Sequence, residues 1–240
     1  MDALKDIQGV IFDYGGTIDT NSRHWAEVLW GKYVEHQVPV GKESFREAYV
    51  FGERALAKYP FVQPEHNFHD VLSIKTKLQI GWLAEQGKLP MDELQLQSYA
   101  GKVADSCYEY VLEVLKVTRP VIEELAKKYK LVLVSNFYGN IQTILNDFGL
   151  LDFFDEIIES SVVGVRKPDP AIYRLGVEAM AFEAENVLVV GDSFSKDVVS
   201  AKAVGCRVAW LKGEGWGGEV IDESVPDVII TDLAQLPALL

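Results

Sequence analysis

The sequence predicts an α/β fold, a parallel sheet flanked by helices, with a block of helices inserted after its first strand. Three observations carry this. Short apolar runs rich in Val, Ile and Leu recur along the chain, several of them continuous, as strands buried on both faces of a parallel sheet read. Helical spacing separates the later runs, and strand–helix alternation is the mark of parallel pairing through crossover helices. Between the first run and the second lies a long stretch that carries helical signals only.

In chain order, residues 7–12 are the first expected strand. Residues 21–118 follow; they are too long for a connection and read as an inserted helical bundle. Within it Ala26, Leu29, Trp30 and Tyr33 share one helix face, Ile74, Leu78 and Trp82 a second, and Val103, Cys107, Tyr110, Val111 and Val114 a third. Proline and glycine at 59–64 and 87–90 mark turns. Later strands are expected at 131–134, 157–158, 187–190, 208–211 and 228–230, and helices at 120–129, 141–148, 171–181 and 196–204. The division is then a core domain of residues 1–20 and 119–240 and a helical domain of residues 21–118.

The chain has 240 residues, 48% of them hydrophobic, enough for a sizeable core without covalent staples. Cys107 and Cys206 lie far apart with no metal-ligand spacing and read as small buried apolar residues. The first residues lack the basic-then-apolar pattern of a secretory leader, and no apolar run reaches the ~20 residues that span a bilayer. A cytoplasmic location without a membrane partner is therefore expected. A net charge of −13 argues against nucleic acid as partner, because a phosphate backbone demands clustered Lys and Arg. A small anion can still be held locally.

Open parallel sheets bind ligands beyond the carboxyl ends of their strands, so the residues there matter most. The first strand ends in Asp13-Tyr14-Gly15-Gly16-Thr17. The carboxylate can act as nucleophile or metal ligand, and the glycines let backbone amides approach an anion. Ser135 and Asn136 follow the second strand, a hydroxyl and an amide able to donate to a phosphoryl oxygen. After the third strand, Asp169 is a helix N-cap, Pro170 belongs in the first turn, and Lys167 stands just before them as a point charge. After the fourth, Asp192 and Asp197 lie at a strand-to-helix turn and can share an oxygen-seeking cation. Each of these taken alone has a plain reading as a turn or capping residue. Their order after successive strands gives the set its meaning.

In that order the chain resembles the haloacid dehalogenase superfamily. Its four motifs are an Asp-x-Asp-Gly-Thr-like segment, a Ser or Thr, a Lys, and a Gly-Asp acid pair; here they are Asp13 to Thr17, Ser135, Lys167, and Asp192 with Asp197. The resemblance covers nearly the whole chain and implies a Rossmann-like core with an inserted helical cap. It implies a Mg²⁺-dependent hydrolase of phosphatase type acting on a small phosphorylated metabolite. Asp13 would attack phosphorus to form an aspartyl-phosphate, which water then hydrolyses. Ser135, Asn136 and the Gly15–Gly16–Thr17 backbone would hold the phosphoryl group, with Lys167 offsetting its charge. Asp13, Asp192 and the backbone carbonyl of Gly15 would bind Mg²⁺, with Asp197 as a further ligand or an outer acid.

The departure is Gly15. Phosphatases of this superfamily carry there a second Asp that protonates the leaving oxygen and then activates water, and glycine can do neither. Three readings stay open. Asp19 or His24 supplies the proton; or a small residue at 15 marks a phosphonatase-like enzyme, which uses a cap lysine such as Lys32; or catalysis is impaired and the protein binds or regulates. Dehalogenation itself fits less well, since the acid pair has the form suited to Mg²⁺. Most cap aromatics, Trp25, Trp30 and Trp82 among them, are expected in packing. Phe137, Tyr138 and Trp216, in the glycine-rich stretch 213–218, are expected at the cleft.

Overall fold

A computed structural model describes residues 4–215 and 220–240. One parallel sheet holds β1 (Gly9–Phe12), β2 (Lys130–Ser135), β3 (Glu156–Glu159), β4 (Val187–Gly191), β5 (Arg207–Leu211) and β6 (Val228–Ile230), in the order β3-β2-β1-β4-β5-β6. All the expected strands are present. Phe12 at the end of β1 lies opposite Leu133 of β2 and Val190 of β4. The chain winds outward from β1 to β3 on one side and from β4 to β6 on the other. The order therefore reverses between β1 and β4, and a crevice opens beyond their carboxyl ends.

Both sheet faces are covered. Val10, Phe12, Leu131, Leu133, Leu188 and Val190 face one apolar core, which continues without a break into the inserted helices. Ile11, Val132, Val134, Val189 and Val208 face the other, closed by α7 (Ala171–Met180) and α8 (Ser200–Val204). The β-branched continuity of the strands has this cause: neither face meets water.

Four helices lie between β1 and β2: α1 (Trp25–Glu35), α2 (Lys42–Lys58), α3 (Phe68–Glu85) and α4 (Glu93–Ala126). The three apolar faces read from the sequence fall on α1, α3 and α4. They miss α2, whose buried positions Phe45, Ala48, Gly52, Ala55 and Leu56 include three small residues that dilute its stripe. A larger difference is that the helices expected at 103–114 and 120–129 are one helix. The 34-residue α4 carries Pro120 inside it and passes straight through the boundary expected at 118. The buried Thr118 hydroxyl donates to the Ile18 carbonyl at 2.9 Å, tying α4 to the segment that leaves β1.

The helix expected at 196–204 also differs. It opens as a π-helical turn, Phe194–Val199, and only then becomes α8. The other helices, α5 (Ile141–Asp147), the single turn α6 (Ser160–Val163) and α7, complete the core. Asp169 accepts from the Ala171 amide at 2.9 Å, as a capping residue does, while Pro170 stands just outside the first turn. Cys107 and Cys206 are buried free thiols. Among the described residues no helix is long and apolar enough to cross a membrane.

Candidate active site

The crevice at the reversal point is a cavity of about 860 Å³, walled below by the strand ends and above by α1, α2 and α3. Asp13 sits on its floor. Its amide donates to the Val190 carbonyl at 2.9 Å, so the β1–β4 ladder extends one residue beyond the strand and fixes where the carboxylate stands. The Thr17 hydroxyl donates to Asp13 Oδ2 at 3.3 Å. Thr17 is fully buried and does not line the cavity; it supports Asp13 from behind.

Lys167 is buried and donates to Asp13 Oδ1 at 2.5 Å and to Asp197 Oδ1 at 2.8 Å. Its position is set by Asn136. That side chain accepts from the Lys167 amide at 2.9 Å and donates to the Lys167 carbonyl at 3.0 Å, a two-point clamp between the ends of β2 and the loop before α7. Asn136, expected to donate to a phosphoryl oxygen, thus uses its amide to hold the lysine. Asp197 is equally committed. Its Oδ1 also accepts from Tyr173 at 2.6 Å and its Oδ2 from the Ser193 amide at 2.9 Å. These bonds hold Asp197 beside the end of β4, within the π-helical opening. Tyr173 carries no motif signal; only its place in the second core brings it here.

Two glycines admit the acids. At Gly191 a Cβ would lie 2.5 Å from the Asp197 carboxyl carbon, and at Gly16, with φ +95°, it would fall on the Asp192 carboxylate. Asp13, Asp192 and Asp197 consequently each bring a carboxylate oxygen to within 4.8 Å of the other two. Burial, with the charge of Asp197, raises Asp13 to about 6 against the pull of Lys167. Burial and the charges of Asp197 and Asp13 hold Asp192 well above the usual carboxylate range. Burial pulls Lys167 down, but its two carboxylates outweigh this and its pKa is raised. One ammonium facing the buried Asp13 and Asp197 and the half-buried Asp192 leaves negative charge in excess. Hard oxygen donors with such an excess fit a divalent cation such as Mg²⁺.

Ser135, Gly15 and Gly16 line the same cavity, as do Asp19 and His24. Asp19 is buried; its carboxylate accepts from the Gly16 amide at 2.7 Å and from Trp25 Nε1 at 2.8 Å, and burial raises it to about 7. His24 caps α1, its Nδ1 accepting from the Ala26 amide at 3.1 Å, and burial lowers its pKa. Phe137 and Tyr138 line the cavity as expected, and so does Trp25; Trp30 packs on Phe45 and Trp82 on Phe51, within the helices. Trp216 lies outside the described residues. Lys32 pairs with Glu35 on α1 and does not line the cavity. The lysine that enters from the helices is Lys75 of α3, paired with Glu53 of α2 at 2.8 Å. A lysine between Leu72 and Gln79 on the buried face of α3 is its sequence signal, visible only once the face is drawn.

A profile of the haloacid dehalogenase-like hydrolases matches residues 7–205, and the chain belongs to that family. It is similar to the mouse haloacid dehalogenase-like hydrolase domain-containing protein 3, with 33% identity over 57% of this chain and 58% of that one, so the match spans little more than half that relative. It is similar to the phosphoglycolate phosphatase of Pectobacterium atrosepticum, with 27% identity over 100% of this chain and 95% of that one. The HAD-hydrolase YfnB of Bacillus subtilis, bound to magnesium, shares the fold with a TM-score of 0.60 at 20% identity, over 97% of this chain and 98% of that one. The family is one of hydrolases, and the relatives include proteins named as phosphatases.

Proposed function

We propose that the protein is a phosphatase that transfers the phosphoryl group of a small phosphate ester to Asp13 and then to water. The observation that carries this is the Lys167 bridge. A buried ammonium bonded to Asp13 Oδ1, with the longer Thr17 bond on Oδ2, orients the carboxylate for attack and offsets charge where a phosphoryl group would arrive. Ser135 donates to that group, and the Gly15–Gly16 backbone approaches it; Asn136 acts by holding Lys167, and Thr17 by holding Asp13. Residues 21–118 serve as a cap over the core of residues 1–20 and 119–240, excluding water from the reacting atoms.

Asp13, Asp192 and the Gly15 carbonyl would hold Mg²⁺, with Asp197 fixing Lys167 beside them. Bound there, the ion supplies charge neutralisation between the carboxylates and an anionic substrate. Asp19 stands in for the missing acid at Gly15. It gives a proton to the leaving oxygen as the P–O bond breaks, and takes one from the water that cleaves the aspartyl-phosphate. The phosphonatase-like reading fits less well. Lys32 stays outside the cavity, and Lys75, whose pairing with Glu53 outweighs burial and raises its pKa, is kept protonated, whereas attack on a carbonyl requires a neutral amine.

The test is Mg²⁺-dependent phosphate release from an aryl phosphate, whose leaving group departs without a proton. Turnover is expected in the wild type and none above background in Asp13→Asn. Equal rates in the two would eliminate Asp13 as nucleophile and favour the impaired, binding-only reading.

A further inference from the structure

We propose that Glu53 and Lys75 select the leaving group of the substrate, and that this group is a neutral polyhydroxyl compound, making the substrate a polyol or sugar phosphate. The inference deepens the phosphatase reading and rests on it.

Lys75 is 7% exposed, yet it and Glu53 both line the cavity that holds Asp13, Ser135 and Lys167. They come from facing helices, α3 and α2, and meet at 2.8 Å. Tyr138, three residues after Ser135, donates from the sheet side to Glu53 Oε2 at 3.4 Å, so the pair spans cap and core. Tyr49, one helical turn before Glu53, lines the same wall, and the Trp25 ring lies 5.7 Å from the Lys75 ammonium. Burying an ion costs several kcal/mol before attraction repays it, so Lys75, buried at a cavity wall against a Glu53 side chain that is 33% exposed, calls for an explanation beyond packing.

The charge balance of this wall decides the ligand. The pair is neutral as a unit. A carboxylate or second phosphate on the leaving group would meet Glu53 together with Lys75, and an ammonium Lys75 together with Glu53, so a like-charge cost offsets each attraction. A hydroxyl both donates and accepts. It can donate to the Glu53 carboxylate and accept from the Lys75 ammonium, whose three N–H groups are not all taken by one carboxylate. Adjacent hydroxyls can use the two partners at once. Trp25, Phe68 and Phe137 add apolar ring surface for the C–H face of such a ligand. The cavity of about 860 Å³ is also far larger than a two-carbon phosphate ester fills.

The experiment compares kcat/KM for ribitol 5-phosphate, phosphoglycolate, phosphoethanolamine and an aryl phosphate, in the wild type and in the double variant Glu53→Gln/Lys75→Met. The double change leaves no unpaired buried charge, and thermal unfolding checks that the variant folds. The wild type is expected to prefer the ribitol ester over both charged esters by about tenfold or more, and the double variant to lower the ribitol-to-aryl ratio by about tenfold or more, chiefly through KM. Preference for phosphoglycolate or phosphoethanolamine, or an unchanged ratio in the variant, would overturn the assignment while aryl phosphate turnover leaves the phosphatase reading standing. If no ester is hydrolysed, the phosphatase reading fails, and calorimetry on Asp13→Asn decides the assignment. Ribitol 5-phosphate should then bind more tightly than phosphoglycolate, and lose about tenfold when Glu53→Gln/Lys75→Met is added. Equal or reversed affinities would overturn it.

Discussion

Around Gly15 a Cβ would meet no atom within 4 Å, so the backbone there has open space for the start of a side chain. Asp19, anchored by the Gly16 amide and the Trp25 indole, is the buried carboxylate on the adjoining wall. These two facts make the proton-transfer step separable. Asp19→Asn should lower kcat on an alkyl phosphate by roughly 100-fold, within the range general acid–base help supplies, and on an aryl phosphate far less. Adding Gly15→Asp to Asp19→Asn should restore much of the alkyl rate. Steady-state kinetics on the pair of substrates reads both effects; an alkyl rate untouched by Asp19→Asn would remove Asp19 from the mechanism. Asp13, Ser135, Lys167, Asp192 and Asp197, the residues proposed for this chemistry, could be picked out in the sequence because they stand at or beyond the ends of strands. Tyr173, Glu53 and Lys75 could not, because nothing local marks a helical residue that points at a site built by other elements.

The elements that set the cavity's geometry are α4 and the turn after β4. Helix α4 is continuous through Pro120, and its Thr118 reaches the Ile18 carbonyl, one residue from Asp19. Replacing Thr118 with Val keeps the shape and removes the donor at a fully buried position. That change should cost about 1–3 kcal/mol, measured by urea unfolding, since a buried carbonyl loses its partner. A loss within error would mean water or another donor satisfies Ile18. From sequence, Pro120 reads as a helix start, because proline favours first turns. Only the packing of α4 against α3 and the sheet explains why the helix continues through it. The π-helical turn at Phe194–Val199 is similar: it carries Asp197, which accepts three bonds, two of them from residues distant in sequence.

At the scale of the whole molecule, the dominant feature is uncompensated charge at the reversal point of the sheet. Buried Asp13 and Asp197 and half-buried Asp192 face one lysine; burial and Asp197 raise Asp13, and burial, Asp197 and Asp13 raise Asp192. A cation that binds only the folded state stabilises it by mass action. Mg²⁺ at about 100 times its dissociation constant should therefore add roughly 2.7 kcal/mol and raise the thermal midpoint by several degrees. Asp192→Asn should abolish most of that rise. Because burial and its neighbours disfavour the ionised form of Asp192, the same change should stabilise the metal-free protein near neutral pH. Calorimetric scans of both proteins with and without Mg²⁺ test this; an unchanged Mg²⁺ response in the variant would place the ion elsewhere.

The sequence by itself determined the α/β class, the strands, the presence of a helical insertion and the order of Asp13, Ser135, Lys167, Asp192 and Asp197. Those are local facts: apolar runs that must be buried on both faces, and polar residues that must leave the sheet where the strands end. Tertiary structure alone decided that Asn136 clamps Lys167, that Asp197 is held by Tyr173 and the Ser193 amide, that Lys75 rather than Lys32 enters the cavity, and that α4 runs unbroken from insertion to core. Apart from the nearby Ser193 amide, each depends on partners tens of residues apart, and which of several polar side chains meets which is settled by how the helices pack on the sheet, a quantity that no spacing along the chain encodes.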